Sequence, residues 1–542
     1  KYNHLAKMKK NAIILIILSS CLSLTAQTGT FVNGVVLDAV NGTPMPYVSI
    51  FFEGTSHGDL TNSGGKFTIA TTKDVISERS LKVMFSRYHT QELQLDADSL
   101  YTLKIHLMPV EYDDDIDVLR AIRIMGDEGR NPLPYYLYET VNAVLNDNLP
   151  LGNPKTNKFD LYQLQEIPAY NHLEGIRLRL SLATNARLHP HLFAKGYVGY
   201  GFKDRKFKYR GELAWSFDKK AYHDDEFPRN SIRLIYENDI FSPGGNHPRL
   251  PNDFLMYSYR RTRGAMTYRE FTEINYEKET LYGLSYQLWA RMSEMQSACE
   301  MAFTAVDINR YREPMSKLKS KNAGISLRYF HNEAYIQDKR NRKAFSLTEP
   351  LFMLSHTVGE NSVFGGDQLY QKTELSFQKR FSLEDYGFLD LVADYQKVWT
   401  KAPFPMLLYP DANRGYIVDN KSFYLVNAMD FINDEQYSIR LAYFADNLLF
   451  ARIPILDALG FRELFILRGF HGSLSNRNIP TKENGLFVFP ANTASMGNTP
   501  YIEGAVGITN ILGLLRVEYV HRLTYRDHPN AINFGFRLDV TF

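Results

Sequence analysis

The chain has 542 residues, with 62 Lys plus Arg against 60 Asp plus Glu. That balance creates no net field for nucleic acid, and the positive charges are scattered, so nucleic-acid binding is set aside. After residue 30 no apolar run reaches the length of a transmembrane helix, which excludes a helical membrane protein but not a barrel that crosses with strands. The 35 Tyr and 35 Phe favour strands and the aromatic belts of such barrels.

The N-terminus reads as a targeting segment. Lys9 and Lys10 precede an apolar run that continues to Leu24 and ends at Ala26-Gln27, which predicts a signal peptide over residues 1–26 with translation starting at Met8. Leu18-Ser19-Ser20-Cys21 also fits a lipoprotein signal with an acylated Cys21; the apolar stretch beyond it favours cleavage after Ala26. Cleavage leaves Cys299 as the one thiol, so neither an internal disulfide nor a cysteine zinc site is expected.

Residues 31–108 predict a small antiparallel sandwich, with strands at 31–37, 47–52, 66–70, 81–85 and 103–108. Asn41-Gly42 and Ser63-Gly64-Gly65 supply the tight turns. His57, His89 and His106 are scattered and lack ligand spacing. Gly34-Val35-Val36-Leu37-Asp38, Gly54-Thr55 and the run from Thr61 to Ile69 resemble the carboxypeptidase-regulatory-like domain, a transthyretin-like sandwich. The resemblance implies an accessory module without a peptidase site.

Residues 109–173 predict a periplasmic linker. Its acidic run at 111–117 lacks calcium-loop spacing, and Pro134 precedes an amphipathic helix expected over 136–149.

From residue 174 the pattern has a period of two. Phe207, Tyr209, Leu213, Trp215 and Phe217 share one face, while Lys208, Arg210, Glu212, Ser216 and Asp218 share the other. Strands are predicted at 176–182, 191–204, 207–217, 230–241, 265–277, 280–294, 321–333, 349–358, 368–381, 386–399, 421–431, 435–447, 462–475, 500–509, 512–524 and 531–542. The stretches around 176–182 and 207–217 are near the length, about nine to eleven residues, that a tilted strand needs to cross hydrocarbon. The fold class expected is all-β, the sandwich followed by a transmembrane antiparallel β-barrel of about 16 strands over residues 174–542. This register puts 242–264, 295–320 and 400–420 in the periplasm and 476–499 outside.

Gly535, Leu538, Val540 and the final Phe542 resemble the closing strand of bacterial outer-membrane barrels, which the outer-membrane insertion machinery reads. The block from Gly196 to Asp204 and the terminal stretch from Tyr501 are similar to a Bacteroidota outer-membrane family of unassigned function. In that family a carboxypeptidase-regulatory-like domain precedes a surface-antigen barrel related to assembly factors. Arg468-Gly469-Phe470 resembles the Arg-Gly-Phe loop motif of assembly factors, yet it falls inside an expected strand.

No nucleophile elbow, zinc motif or phosphate loop is present. His189-Pro190-His191 is the nearest approach to a ligand pair and falls in an expected turn. The charges Glu212, Arg516, Glu518, Arg522, Arg537 and Asp539 are expected to line a polar lumen. No catalytic, cofactor-binding or metal residue is assigned, and no cofactor is expected. Three functions stay open. The first is a non-catalytic barrel for envelope biogenesis or translocation, with the sandwich docking a periplasmic protein. The others are a porin or nutrient receptor related to TonB-dependent systems, and a barrel-embedded lipid or protein hydrolase. The partners expected are outer-membrane lipid, the insertion machinery and that periplasmic protein.

Overall fold

The computed structural model describes residues 30–108 and 149–540, apart from short segments of which 244–264 and 413–421 are the longest. The signal peptide with Met8 and Cys21, the acidic run, the helix at 136–149, His57, His89, Cys299 and Phe542 lie outside the described residues. The chain divides into two compact units, residues 1–110 and 111–542.

The first unit holds β1 (Thr30–Asp38), β2 (Ser49–Phe52), β3 (Gly58–Leu60), β4 (Lys66–Thr71), a short helix α1 (Lys73–Glu78), β5 (Leu81–Met84), β6 (Gln91–Leu93) and β7 (Thr102–Leu107). They form a three-stranded sheet, β4-β1-β7, and a four-stranded sheet, β3-β2-β5-β6. Alternation places Val32 and Val36 in the shared core with Ile50, Phe52, Phe67 and Ile105. One pairing departs from the antiparallel expectation: β7 runs parallel to β1. The chain reaches β7 only after crossing the other sheet, and a long crossover is what a parallel pair requires. The Tyr88 hydroxyl donates to Asp38 at 2.6 Å. Burial and that carboxylate push the phenol up to about 12.

The second unit is dominated by one 18-stranded sheet. Its short elements are β8 (Leu149–Pro150), β9 (Phe159–Leu161) and β10 (Pro168–Asn171). Then come β11 (Gly175–Thr184), β12 (Leu192–Gly201), β13 (Lys206–Ser216), β14 (Asn230–Phe241), β15 (Thr267–Glu279) and β16 (Leu284–Ser297). A small hairpin, β17 (Val306–Asp307) and β18 (Arg310–Tyr311), precedes β19 (Lys317–Phe330), and another, β20 (Tyr335–Gln337) and β21 (Arg342–Ala344), precedes β22 (Leu351–Val363). The remainder are β23 (Gly366–Ser382), β24 (Phe388–Val398), β25 (Glu435–Phe444), a helical turn α2 (Pro454–Ala458), β26 (Arg462–Ser473), β27 (Tyr501–Ile511), β28 (Leu515–Arg522) and β29 (Phe534–Val540).

The long strands are neighbours in chain order, from β11 to β29, and β8 and β9 come after β29 in the sheet. β9 also pairs with β11, so the order returns on itself. β9 and β10 pair with successive stretches of the same edge of β11, at Leu182 to Thr184 and Gly175 to Leu178. Residues 149–171 therefore contribute to the sheet ahead of the expected start at 174.

Each expected strand except 421–431 has a counterpart. Residues 422–434 form bends and turns, and every one of them is buried. Their apolar content reflects burial on all sides rather than one face of a strand. Without that strand, the direction of every later strand reverses. The antiparallel ladders place the connections 242–266, 298–316, 399–434 and 474–500 at one end of the sheet, here the far end. β29 finishes and β8 enters at the opposite, near end. The expected separation of 476–499 from the other three long segments is thus corrected.

Candidate functional site: the buried face of the large sheet

The large sheet inverts the arrangement of a water-soluble one. In β11 the exposed side chains are Ile176, Leu178, Leu180 and Leu182, with Ile176 58% and Leu180 56% exposed, whereas Arg177 is fully buried and Arg179 nearly so. β13 repeats this, with Phe207, Leu213 and Trp215 exposed and Lys208, Glu212 and Ser216 buried. Strand geometry alone accounts for the separation, because successive side chains point to opposite faces.

Each buried charge costs on the order of several kcal/mol unless paired. Across β11–β15 they are paired. Arg177 donates through two nitrogens to Asp239, at 2.6 and 2.8 Å, and the Tyr197 hydroxyl donates to the same carboxylate. Lys208 bridges Glu174 at 2.7 Å and Asp204 at 2.5 Å. Arg210 joins Glu237 at 2.7 Å and Glu212 at 3.0 Å, and Arg233 reaches Glu212 at 3.4 Å. The guanidinium of Arg177 needs the space left by Gly199, where a Cβ would lie 3.0 Å from its Nε. At the near end, Asp224 and Asp225 meet Lys195, Arg229 and Arg233. Burial raises the Asp225 carboxyl, but Lys195, Arg229 and Arg233 outweigh it and hold the group well below the usual carboxylate range.

The opposite part of the buried face, β25–β29, is covered by residues 422–434. Glu503 of β27 anchors them: its two carboxylate oxygens accept the backbone N–H groups of Tyr424 and Leu425 at 2.8 and 3.0 Å. Arg468 stands 3.5 Å from Glu503, and the Tyr501 hydroxyl donates to it at 2.9 Å. Phe423 and Phe431 pack on Phe470 and Tyr501. Arg468-Gly469-Phe470 does lie in a strand; its Phe packs on the inserted segment, and its Arg stands beside the Glu503 that anchors it. At the far end, Phe303, Phe404 and Phe487 come from three different connections and share one apolar cluster with Met429 and Ile432.

Of the other charges expected in a lumen, Arg516, Glu518, Arg522 and Arg537 are buried on the same face as Glu503. Glu518 lies 2.9 Å from Arg516 and 3.4 Å from Arg537. The Asp539 side chain lies outside the described residues. His189 Nδ1 accepts the amides of His191 and Leu192, and both rings stand beside Trp215, so this pair shapes a turn. His106 is exposed. Among the described residues, no group of three or more His, Cys, Asp or Glu could hold a metal ion. Periodicity gives no warning of Glu503 or of the inserted segment. One signal does exist: Phe423, Tyr424, Leu425 and Val426 are four consecutive apolar residues where a strand would alternate.

A model described as "CarboxypepD_reg-like domain" matches residues 32–117. A second, described as "Family of unknown function (DUF5686) C-terminal domain", matches residues 151–477. The chain belongs to this family. No curated protein matches it. Similar solved structures include BamA from Haemophilus ducreyi lacking POTRA domains 1-3, at 9% identity and a TM-score of 0.42, over 86% of this chain and 92% of that one. CdiB from Acinetobacter baumannii is 8% identical, with a TM-score of 0.35, over 69% of this chain and 58% of that one. OccK11 (OpdR) from Pseudomonas aeruginosa is 10% identical, with a TM-score of 0.26, over 68% of this chain and 91% of that one.

Proposed function

We propose that the chain is a non-catalytic outer-membrane β-barrel protein acting in envelope biogenesis or translocation, with the sandwich as its periplasmic accessory domain. The observation that carries this reading is the inverted sheet: apolar residues exposed, charged residues buried, in a sheet whose order returns on itself. In water so large an exposed apolar surface would drive aggregation, whereas in lipid it is solvated. Closure leaves no strand edge facing hydrocarbon, where each unpaired backbone group costs on the order of several kcal/mol. With β9 and β10 taken as one interrupted strand, the wall has seventeen strands, one of them the two-residue β8 between β29 and β9. The near end, where the chain enters and β29 finishes, then faces the periplasm, and the connections 242–266, 298–316, 399–434 and 474–500 face outward. The partners on this reading are outer-membrane lipid, the insertion machinery that reads the strand ending at Phe542, and a periplasmic protein docked on the sandwich.

Residues 422–434 and the apolar cluster at the far end would block the lumen, which suits a gated or cargo-handling barrel better than a diffusion pore. The alternative, a porin or receptor for nutrient uptake, draws support from the buried-side residues of β22–β24. Ser355, Ser376, Gln378 and Arg380 there are only half-buried, as a wetted channel wall would be.

Two measurements test the reading. Protein from an outer-membrane fraction should migrate faster unboiled than boiled, and in planar bilayers it should conduct little until 422–434 is displaced. Absence of the shift with recovery in the soluble fraction sinks the barrel; large steady conductance of the unaltered protein selects the porin.

A further inference from the structure

The exposed face of the large sheet is not evenly covered. A hollow of about 950 Å³ lies over β16–β27, lined by apolar side chains that include Leu284, Phe352, Leu375, Ile439 and Leu467. Two small residues open it. Ala393 and Gly469 lie on either side of Ile439 in one cross-strand row, where neighbouring rows carry leucine and aromatic side chains. In that row the lining is apolar apart from the hydroxyl of Tyr329 on β19, and the strands beneath it are paired on both edges, so no backbone group is offered to a partner strand.

The far-end mouth is different in kind. Tyr395, Tyr437 and His471 form the next row. The Tyr395 and Tyr437 rings stand 4.9 Å apart, and both hydroxyls donate to Glu435, at 3.0 and 2.8 Å. Lys397 lies 3.1 Å from the same carboxylate, and His471 Nδ1 is buried without a hydrogen-bond partner. An apolar trough thus ends in two aromatic rings, a carboxylate, an ammonium and an imidazole.

We propose that this hollow is a lipid site, occupied by an acyl chain of an outer-leaflet lipid whose headgroup carries both a phosphate and an ammonium, the chemistry for which phosphatidylethanolamine serves as the probe. The proposal rests on the reading of the sheet as a membrane barrel. The tail fills the space over Ala393 and Gly469. The headgroup ammonium meets Glu435 and the tyrosine faces, as cations meet aromatic rings generally, while its phosphate meets Lys397 and His471. Adjacent charges of both signs match a headgroup carrying both, and a purely anionic lipid would leave Glu435 opposed.

Trp399 is the reporter, being 45% exposed with Lys397 4.6 Å over its ring. A W215F/W289F double variant leaves it as the single tryptophan. The protein is reconstituted in phosphatidylglycerol vesicles containing a minor fraction of phosphatidylethanolamine brominated near the ester. Quenching is expected to exceed the mole-fraction value severalfold, and A393F, which fills the trough, and E435Q, which alters the mouth, should each restore that value. Quenching that follows mole fraction in the unaltered hollow, or equal quenching by brominated phosphatidylglycerol, overturns the proposal. Quenching that falls as the protein-to-lipid ratio rises means that a second copy covers the hollow, and overturns it too. Protein that inserts and shows the heat-dependent shift but fails the quenching test loses the lipid site alone; protein that never inserts loses the barrel.

Discussion

At Leu180 and Arg179 a single residue step carries the side chain from the exposed face to the buried one, 56% against 5% exposed. The two positions therefore answer oppositely to charge. Leu180→Arg is expected to cost about 2–4 kcal/mol if the exposed face meets the middle of a bilayer. In a water-soluble sheet the same change would be close to neutral. Urea unfolding of the protein refolded in lipid vesicles measures this directly. Alternation makes such assignments legible in β11, β13 and β14, because a period of two specifies both faces at once. Partners are not legible. Arg177 and Asp239 are 62 positions apart, and nothing local links a charge on β11 to one on β14.

Among elements, residues 422–434 show where periodicity misleads. A strand with one buried face and an irregular segment buried on every side both show closely spaced apolar residues, and only the surroundings separate them. Their retention depends on Glu503, which satisfies two backbone N–H groups that would otherwise be buried without acceptors. Glu503→Ala removes that acceptor and leaves Arg468 without its buried counter-charge. The expected loss is about 3–5 kcal/mol, read as a lower urea midpoint together with new protease cleavage within 413–434. An unchanged midpoint would mean that aromatic packing on Phe470 and Tyr501 suffices to hold the segment. The sandwich is more fully legible, since its turns sit at local glycine signals; β3, β6 and α1 are too short to leave a pattern.

For the whole molecule, the ladders decide orientation. They gather four long connections at one end and bring the chain in and out at the other. Protease added to intact cells is expected to cut within 476–499 and to spare the sandwich; the reverse pattern would invert the barrel. Composition and alternation by themselves determined the all-β class, the two unlike faces of the large sheet and the position of nearly every long strand, because those properties are set by side chains within a few residues of one another; the regulatory-like module was read from its resemblance to a family. The tertiary structure alone decided that 422–434 turns onto the buried face, that 149–171 joins the sheet beside β11, and that 474–500 shares an end with 242–266, 298–316 and 399–434. Each of these depends on contacts between residues far apart in the chain, and one misplaced strand reverses the direction of every strand after it.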